Sequence, residues 1–182
     1  MKRASYYYID GLKSERLETK FLEPDDWKYW AKYFERDGGR FSKEFDKEKS
    51  EMKAKMWINH QLSRYQDQSY GMQWIIHRET SERIGQCGLL LQNIDRVMEL
   101  EIVYHTFPEY WGNGYATEAA KLFRDFGFRS LPIRSIISLV DPKNFSSHRV
   151  AERNGMIRGA FRKWKGVEYY VYRITRKDWE EL

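Results

Sequence analysis

Two glutamates, Glu99 and Glu101, stand two residues apart, which in a strand puts both on one face with Leu100 and Ile102 on the other. A carboxylate so placed can organise the removal of a proton, or it can sit in a solvated ion pair; the spacing allows both. Gly112-Asn113-Gly114 precedes a stretch of helical periodicity. A two-glycine loop at a helix start turns successive backbone N–H groups toward one point, and the helix dipole adds positive potential there, so it can cradle a pyrophosphate. An Asn-Gly pair is also an ordinary turn. No Gly-Lys-Ser/Thr follows, which excludes a Walker A loop, and the meander expected before the loop excludes a dinucleotide fingerprint. His60, His77, His105 and His148 lack paired ligand spacing, so no metal is expected. Cys87 lies in an apolar run and no Gly-x-Ser-x-Gly occurs, so neither a cysteine nor a serine-triad nucleophile is expected.

Several elements must hold these residues in place. Arg16 to Leu22 reads as a strand, and Glu23-Pro24-Asp25-Asp26 as a helix start. Trp27, Trp30, Tyr33 and Phe34 recur at helical spacing, with the helix expected to stop before Asp37-Gly38-Gly39. A longer helix is predicted over Lys47 to Gln66, its buried side marked by Met52, Met56, Trp57 or Ile58, Leu62 and Tyr65. Gly71 to His77, Arg83 to Leu91 and Val97 to His105 read as an antiparallel meander, because their separators are short. The glycine loop and a helix over Tyr115 to Phe128 follow, then a buried strand over Ile133 to Val140. A helix over Ser146 to Asn154, closed by Gly155, leads to a hairpin of Met156 to Lys163 with Val167 to Ile174, turning at Lys165-Gly166. This order predicts one mixed, mostly antiparallel sheet with helices on both faces, an α/β or α+β arrangement.

The 182 residues suit a single domain, and 41% hydrophobic content with 7 Trp, 13 Tyr and 10 Phe argues against disorder. The lone cysteine precludes an internal disulfide, and MKRASYYYIDG has no apolar signal core, so a cytoplasmic setting is expected. No apolar run approaches the ~20 residues of a membrane span. A net charge of +5 invites anionic partners, but basic and acidic residues interleave, as in Lys43-Glu44-Phe45-Asp46-Lys47. Mixed solvated faces are therefore expected rather than nucleic-acid binding, and a phosphate-bearing cofactor would satisfy the remaining bias.

The motifs together resemble the GNAT acyl-CoA N-acyltransferases, in the branch of the ribosomal-protein N-terminal acetyltransferases. Trp111-Gly112-Asn113-Gly114-Tyr115-Ala116-Thr117-Glu118-Ala119 is similar to that branch's pyrophosphate loop and following helix. Asn144-Phe145-Ser146-Ser147, followed by Val150, Glu152, Arg153 and Gly155, is similar to its second signature. Ser14-Glu15-Arg16-Leu17 resembles the opening strand, Ile84-Gly85 with Gly88-Leu89 the central hairpin, and Thr175 to Trp179 the closing segment, so the likeness runs from about residue 14 to 180. Two positions depart from the pattern. Asn113 stands where the branch often has Lys or Arg, so a cation for the phosphates is expected from Lys143 or Arg149, and Met156 replaces the usual Phe.

The resemblance implies the GNAT fold and acetyl-CoA as co-substrate, held by Tyr104, His105, Thr106, Trp111, Gly112, Asn113, Gly114, Tyr115, Ala116, Thr117 and Asn144. It implies transfer of an acetyl group to a primary amine, a protein N-terminus or a small amine, by direct attack in a ternary complex. Such a reaction needs a free amine lone pair and a proton for the departing thiolate. Glu101 occupies the position of the family's base acting through water. Many members carry the acid tyrosine where Ala151 stands here, which leaves the hydroxyl of Ser147; Ser147 is alternatively a helix cap, and Asn144 alternatively a turn residue. The loop from Glu35 to Phe45, with Asp37 and Phe41, is expected to shape the acceptor pocket of a monomer or homodimer. A non-catalytic acyl-CoA sensor is the rival reading.

Overall fold

The computed structural model describes residues 8–41, 47–164 and 166–182, and within them all side chains but those of 36–41 and 164. The apolar runs in the middle of the chain pair as a meander, β2 (Met72–His77), β3 (Arg83–Ile94) and β4 (Val97–Thr106), and β1 (Leu17–Phe21) adds antiparallel to β2. Asp95 and Arg96 alone make the β3–β4 turn, both at positive φ, so the pairing runs on to Ile94 opposite Val97. Beyond the glycine loop come α3 (Tyr115–Ser130), β5 (Ser135–Val140), α4 (Phe145–Arg153), β6 (Ile157–Trp164), β7 (Val167–Thr175) and the short α5 (Arg176–Glu180). The seven strands form one sheet in the order β1-β2-β3-β4-β5-β7-β6. Every pairing is antiparallel except β4 with β5, which meet in parallel at a single register pair, Glu101 opposite Ile137.

Alternation along the strands feeds two cores. Cys87, Leu89 and Ile102 pack with Ala119, Ala120 and Phe123 of α3 on one face. Met72, Trp74 and Leu90 pack on the other face with Trp30 of α1 (Trp27–Phe41) and with Ala54 and Ile58 of α2 (Lys47–Gln66). Among the described residues no helix is long and apolar enough to cross a membrane.

Two expectations need correction. The first helix does not stop before Asp37 but runs through both glycines to Phe41. Each glycine costs a helix about 1 kcal/mol, and packing of α1 along α2 overrides that preference. The bounds of α2 are as predicted, but Met52 and Met56 lie 55% and 66% exposed, and the buried stripe is Ser50, Ala54, Ile58 and Gln61. That stripe keeps helical spacing with small and polar side chains, and Gln61 is buried because its Oε1 accepts the Met72 backbone N–H at 3.0 Å. Lys165 of the expected β6–β7 turn lies outside the described residues.

Candidate active site

The glycine loop has the backbone its sequence requires: Gly112 and Gly114 sit at φ +82° and +80°, and Gly114 is the N-cap residue of α3. It is pinned from three sides. The Trp111 indole N–H donates to the Thr106 carbonyl at 3.0 Å, Asn113 Nδ2 donates back to the carbonyls of Tyr110 and Trp111, and Arg16 Nη1 donates to the Asn113 carbonyl at 3.1 Å. Arg16 also grips Glu118 in the first turn of α3 through its backbone N–H at 2.9 Å and its Nε at 2.8 Å, with Ser14 Oγ donating to the same carboxylate at 2.7 Å. Burial pushes the Glu118 carboxyl up, but these hydrogen bonds from Arg16 and Ser14 outweigh it and hold it below the usual carboxylate range. The opening-strand and loop motifs, far apart in sequence, are thus one assembly.

Two clefts meet where β4 and β5 part. The first, about 370 Å³, is walled by the loop and the start of α3, from Trp111, Gly112 and Gly114 through Tyr115, Ala116 and Thr117, by Tyr104, His105 and Thr106 of β4, and by Asn144 and Ser147. Asn113 is not on this wall; its side chain is turned back into the loop. Arg149 and Arg153 of α4 supply the cations, whereas Lys143 lies in the second cleft. That second cleft, about 480 Å³, holds Glu101 with Ser138, Leu139, Asp141 and Tyr169. Tyr33, Tyr104, His105, Asn144 and Ser147 line both.

The geometry separates the alternatives left open by residue type. Glu99 is bound by Arg173 through both oxygens, at 2.5 and 3.0 Å, and that hydrogen bonding raises the Arg173 guanidinium above its ordinary value. Glu101 is 5% exposed, its Oε2 accepts Gln92 Nε2 at 2.8 Å, and its Oε1 accepts the Leu139 backbone N–H at 3.2 Å. The cap of α4 is Asn144, whose Oδ1 accepts the Ser147 backbone N–H at 3.2 Å and the Ser146 hydroxyl at 2.8 Å. Ser147 therefore sits inside the helix's first turn, and it lines both clefts. Its carbonyl accepts the Tyr104 hydroxyl at 3.0 Å, and burial raises that phenol well above its ordinary value. Cys87 is fully buried, and burial raises its thiol likewise. Among the described residues no group of three or more His, Cys, Asp or Glu is arranged to hold a metal.

Residues 16–157, from the Arg16 anchor to the start of β6, match the acetyltransferase (GNAT) domain family. The chain belongs to the GNAT acetyltransferases. Over 119 residues it is 37% identical to the uncharacterized protein YkkB of Bacillus subtilis, a match covering 64% of this chain and 68% of that one. A solved acetyltransferase from Agrobacterium tumefaciens superposes with a TM-score of 0.74 at 26% identity, over 96% of this chain and 99% of the other. RimL, a ribosomal L7/L12 α-N-protein acetyltransferase solved with coenzyme A, shares the fold, with a TM-score of 0.71 at 15% identity over 89% and 95% of the two chains.

Sequence reasoning missed several residues of this GNAT acetyltransferase's site. Tyr33, whose hydroxyl lies 2.9 Å from His105 Nδ1, was visible only as one of a helical run of aromatics. Gln92 stands opposite Glu99 once a two-residue turn at Asp95-Arg96 is recognised, which places it diagonal to Glu101. Arg153 was read as part of a motif but not as a cation of the cleft. Of the expected acceptor loop, residues 42–45 and the side chains of Asp37 and Phe41 lie outside what the structure describes.

Proposed function

We propose that this enzyme moves an acetyl group from acetyl-CoA to a primary amine, a protein N-terminus or a small amine, by direct attack with both substrates bound. The observation that carries this reading is the meeting of the two clefts at Ser147, with the glycine loop and two arginines on one side and a buried carboxylate on the other. The first cleft fits a diphosphate: backbone N–H groups at the start of α3 converge there, and Arg149 and Arg153 supply charge where Asn113 does not. Acetyl-CoA supplies the activated acyl thioester. Tyr104, His105, Thr106, Trp111, Gly112, Gly114, Tyr115, Ala116, Thr117 and Asn144 would hold it along the loop and the edge of β4.

Glu101 works on the amine side. A typical aliphatic amine has a pKa near ~10, like lysine, and an unperturbed glutamate near ~4.3, so Glu101 orders a water that carries the proton away rather than taking it unaided. Ser147 gives a proton to the departing thiolate. That RimL is an α-N-protein acetyltransferase of ribosomal L7/L12 supports including N-terminal amines in the acceptor class.

The test is thiol release from acetyl-CoA against a panel of spermidine, simple diamines and peptides with free Ala or Ser N-termini. Turnover with intersecting initial-rate lines, retained in Cys87→Ala, is the expected result. Ping-pong kinetics or a trapped acetyl-enzyme would overturn direct attack. Acetyl-CoA binding without thiol release from any amine would favour the sensor reading.

A further inference from the structure

Gln92 is a buried amide on β3, paired opposite Glu99 and so on the sheet face that carries Glu101, with no part in the family motifs. Its Nε2 donates to Glu101 Oε2 at 2.8 Å, while the Leu139 backbone N–H, from β5, donates to Oε1 at 3.2 Å. One carboxylate is therefore held at both oxygens, by donors from the two strands that flank β4. Donors of this kind favour the charged form of a carboxyl and fix its plane, and a buried carboxylate deprived of one loses both orientation and part of its stabilisation. Gln92 is the member of the pair that a side-chain substitution can remove.

We propose that Gln92 is a positioning residue for Glu101: with the Leu139 N–H it clamps the carboxylate, keeping it ionised and aimed into the cleft where the amine is to bind. The inference rests on the reading of Glu101 as the group that handles the amine's proton. Other groups act on Glu101 as well: Arg64 from α2, Tyr104 on its own strand and Tyr169 from β7 interact with it electrostatically, and Asp141 and Lys143 share its cleft. Glu99, its neighbour on the same face, is occupied by Arg173. Gln92→Met leaves all of these in place and removes only the amide donor.

The experiment is the titration of the Glu101 carboxyl carbon by NMR, in protein labelled at glutamate Cδ, with the resonance assigned by its loss in Glu101→Gln. Gln92→Met is expected to raise the midpoint by about one pH unit. In assays with the amine of the panel that turns over fastest, the acid limb of kcat should rise equally, with KM for acetyl-CoA unchanged. An unmoved midpoint in folded Gln92→Met overturns the clamp. Should the methionine variant not fold, Gln92→Asn, whose amide is one methylene too short to reach, is expected to move the midpoint in the same direction, and its failure to do so overturns the clamp equally. A moved midpoint combined with parental turnover by Glu101→Gln supports the clamp and overturns instead the catalytic reading of Glu101.

Discussion

Asn144 takes the capping role that a serine near a helix start could have had, which leaves Ser147 free for the proposed role of proton donor. Because Asn144 accepts the Ser147 N–H, the helix keeps its cap whatever stands at 147. Ser147→Ala is therefore expected to lower kcat by ~10² to 10⁴-fold if the hydroxyl is the proton donor. Its stability should change by only about 0.5 kcal/mol. Steady-state rates at saturating acetyl-CoA, with a melting curve for each protein, distinguish this from a purely structural role, in which melting would change and turnover would not. Glu118 gives a prediction of the opposite kind. Its carboxyl is held below its ordinary value of 4.5, so its bonds to Arg16 and Ser14 contribute stability that is present above that pH and lost as the pH falls through the lower, folded value. Glu118→Gln should flatten the acid side of the melting temperature plotted against pH, and a curve parallel to the parent's would show that the assembly does not depend on the charge. The candidate site residues named from sequence are those in contiguous motifs. Gln92 and the Arg16–Glu118 grip are not among them, because each is a contact between motifs and depends on pairing register.

The elements were largely readable, and the departures share a cause. Periodicity of apolar residues located α2 and, in Ile58, Leu62 and Tyr65, much of its packed side, but it wrongly included Met52 and Met56 and passed over Gln61, which is buried by what it bonds, not by hydrophobicity. The stop assigned at Asp37-Gly38-Gly39 followed local propensity, which tertiary packing overrode. Gly88 shows the converse, a residue whose meaning lies wholly in its neighbours: a Cβ there would stand 2.3 Å from the Gly71 carbonyl oxygen and 2.7 Å from Met72 Cα. Both belong to backbone beside the β2–β3 pairing and cannot yield as a side-chain tip would. Gly88→Ala is expected to cost about 3 kcal/mol, read from urea unfolding, against about 1 kcal/mol for loss of the α4 cap in Asn144→Ala.

At the scale of the molecule, the order of the elements was enough to predict a mixed sheet covered on both faces, but not where the sheet would open. No pattern in β4 or β5 marks a break; it exists because their parallel pairing has one register pair and then diverges. If the loop beside that opening binds acetyl-CoA, the ligand at about 100 times its dissociation constant should add ~2.7 kcal/mol to the unfolding free energy. Gly114→Glu, which puts a side chain at φ +80° and a negative charge at the start of α3, should abolish the ligand-induced shift, as measured by melting with and without acetyl-CoA. A shift of parental size in that variant would remove the loop from the site.

Where the ladder between β4 and β5 lapses, side chains stitch it: Ser138 Oγ donates to the Ile102 carbonyl at 3.1 Å, and Glu101 receives the Leu139 N–H. The seam of the sheet and the proposed chemistry thus share a carboxylate. Truncating Glu101 to alanine would unpick a stitch as well as delete the group proposed to handle the amine's proton, so a rate lost there would be a sum of two effects. Glutamine keeps an oxygen for Leu139 while losing the charge and the acceptor for Gln92, and the difference between the two substitutions measures how much of the reaction is owed to the joinery.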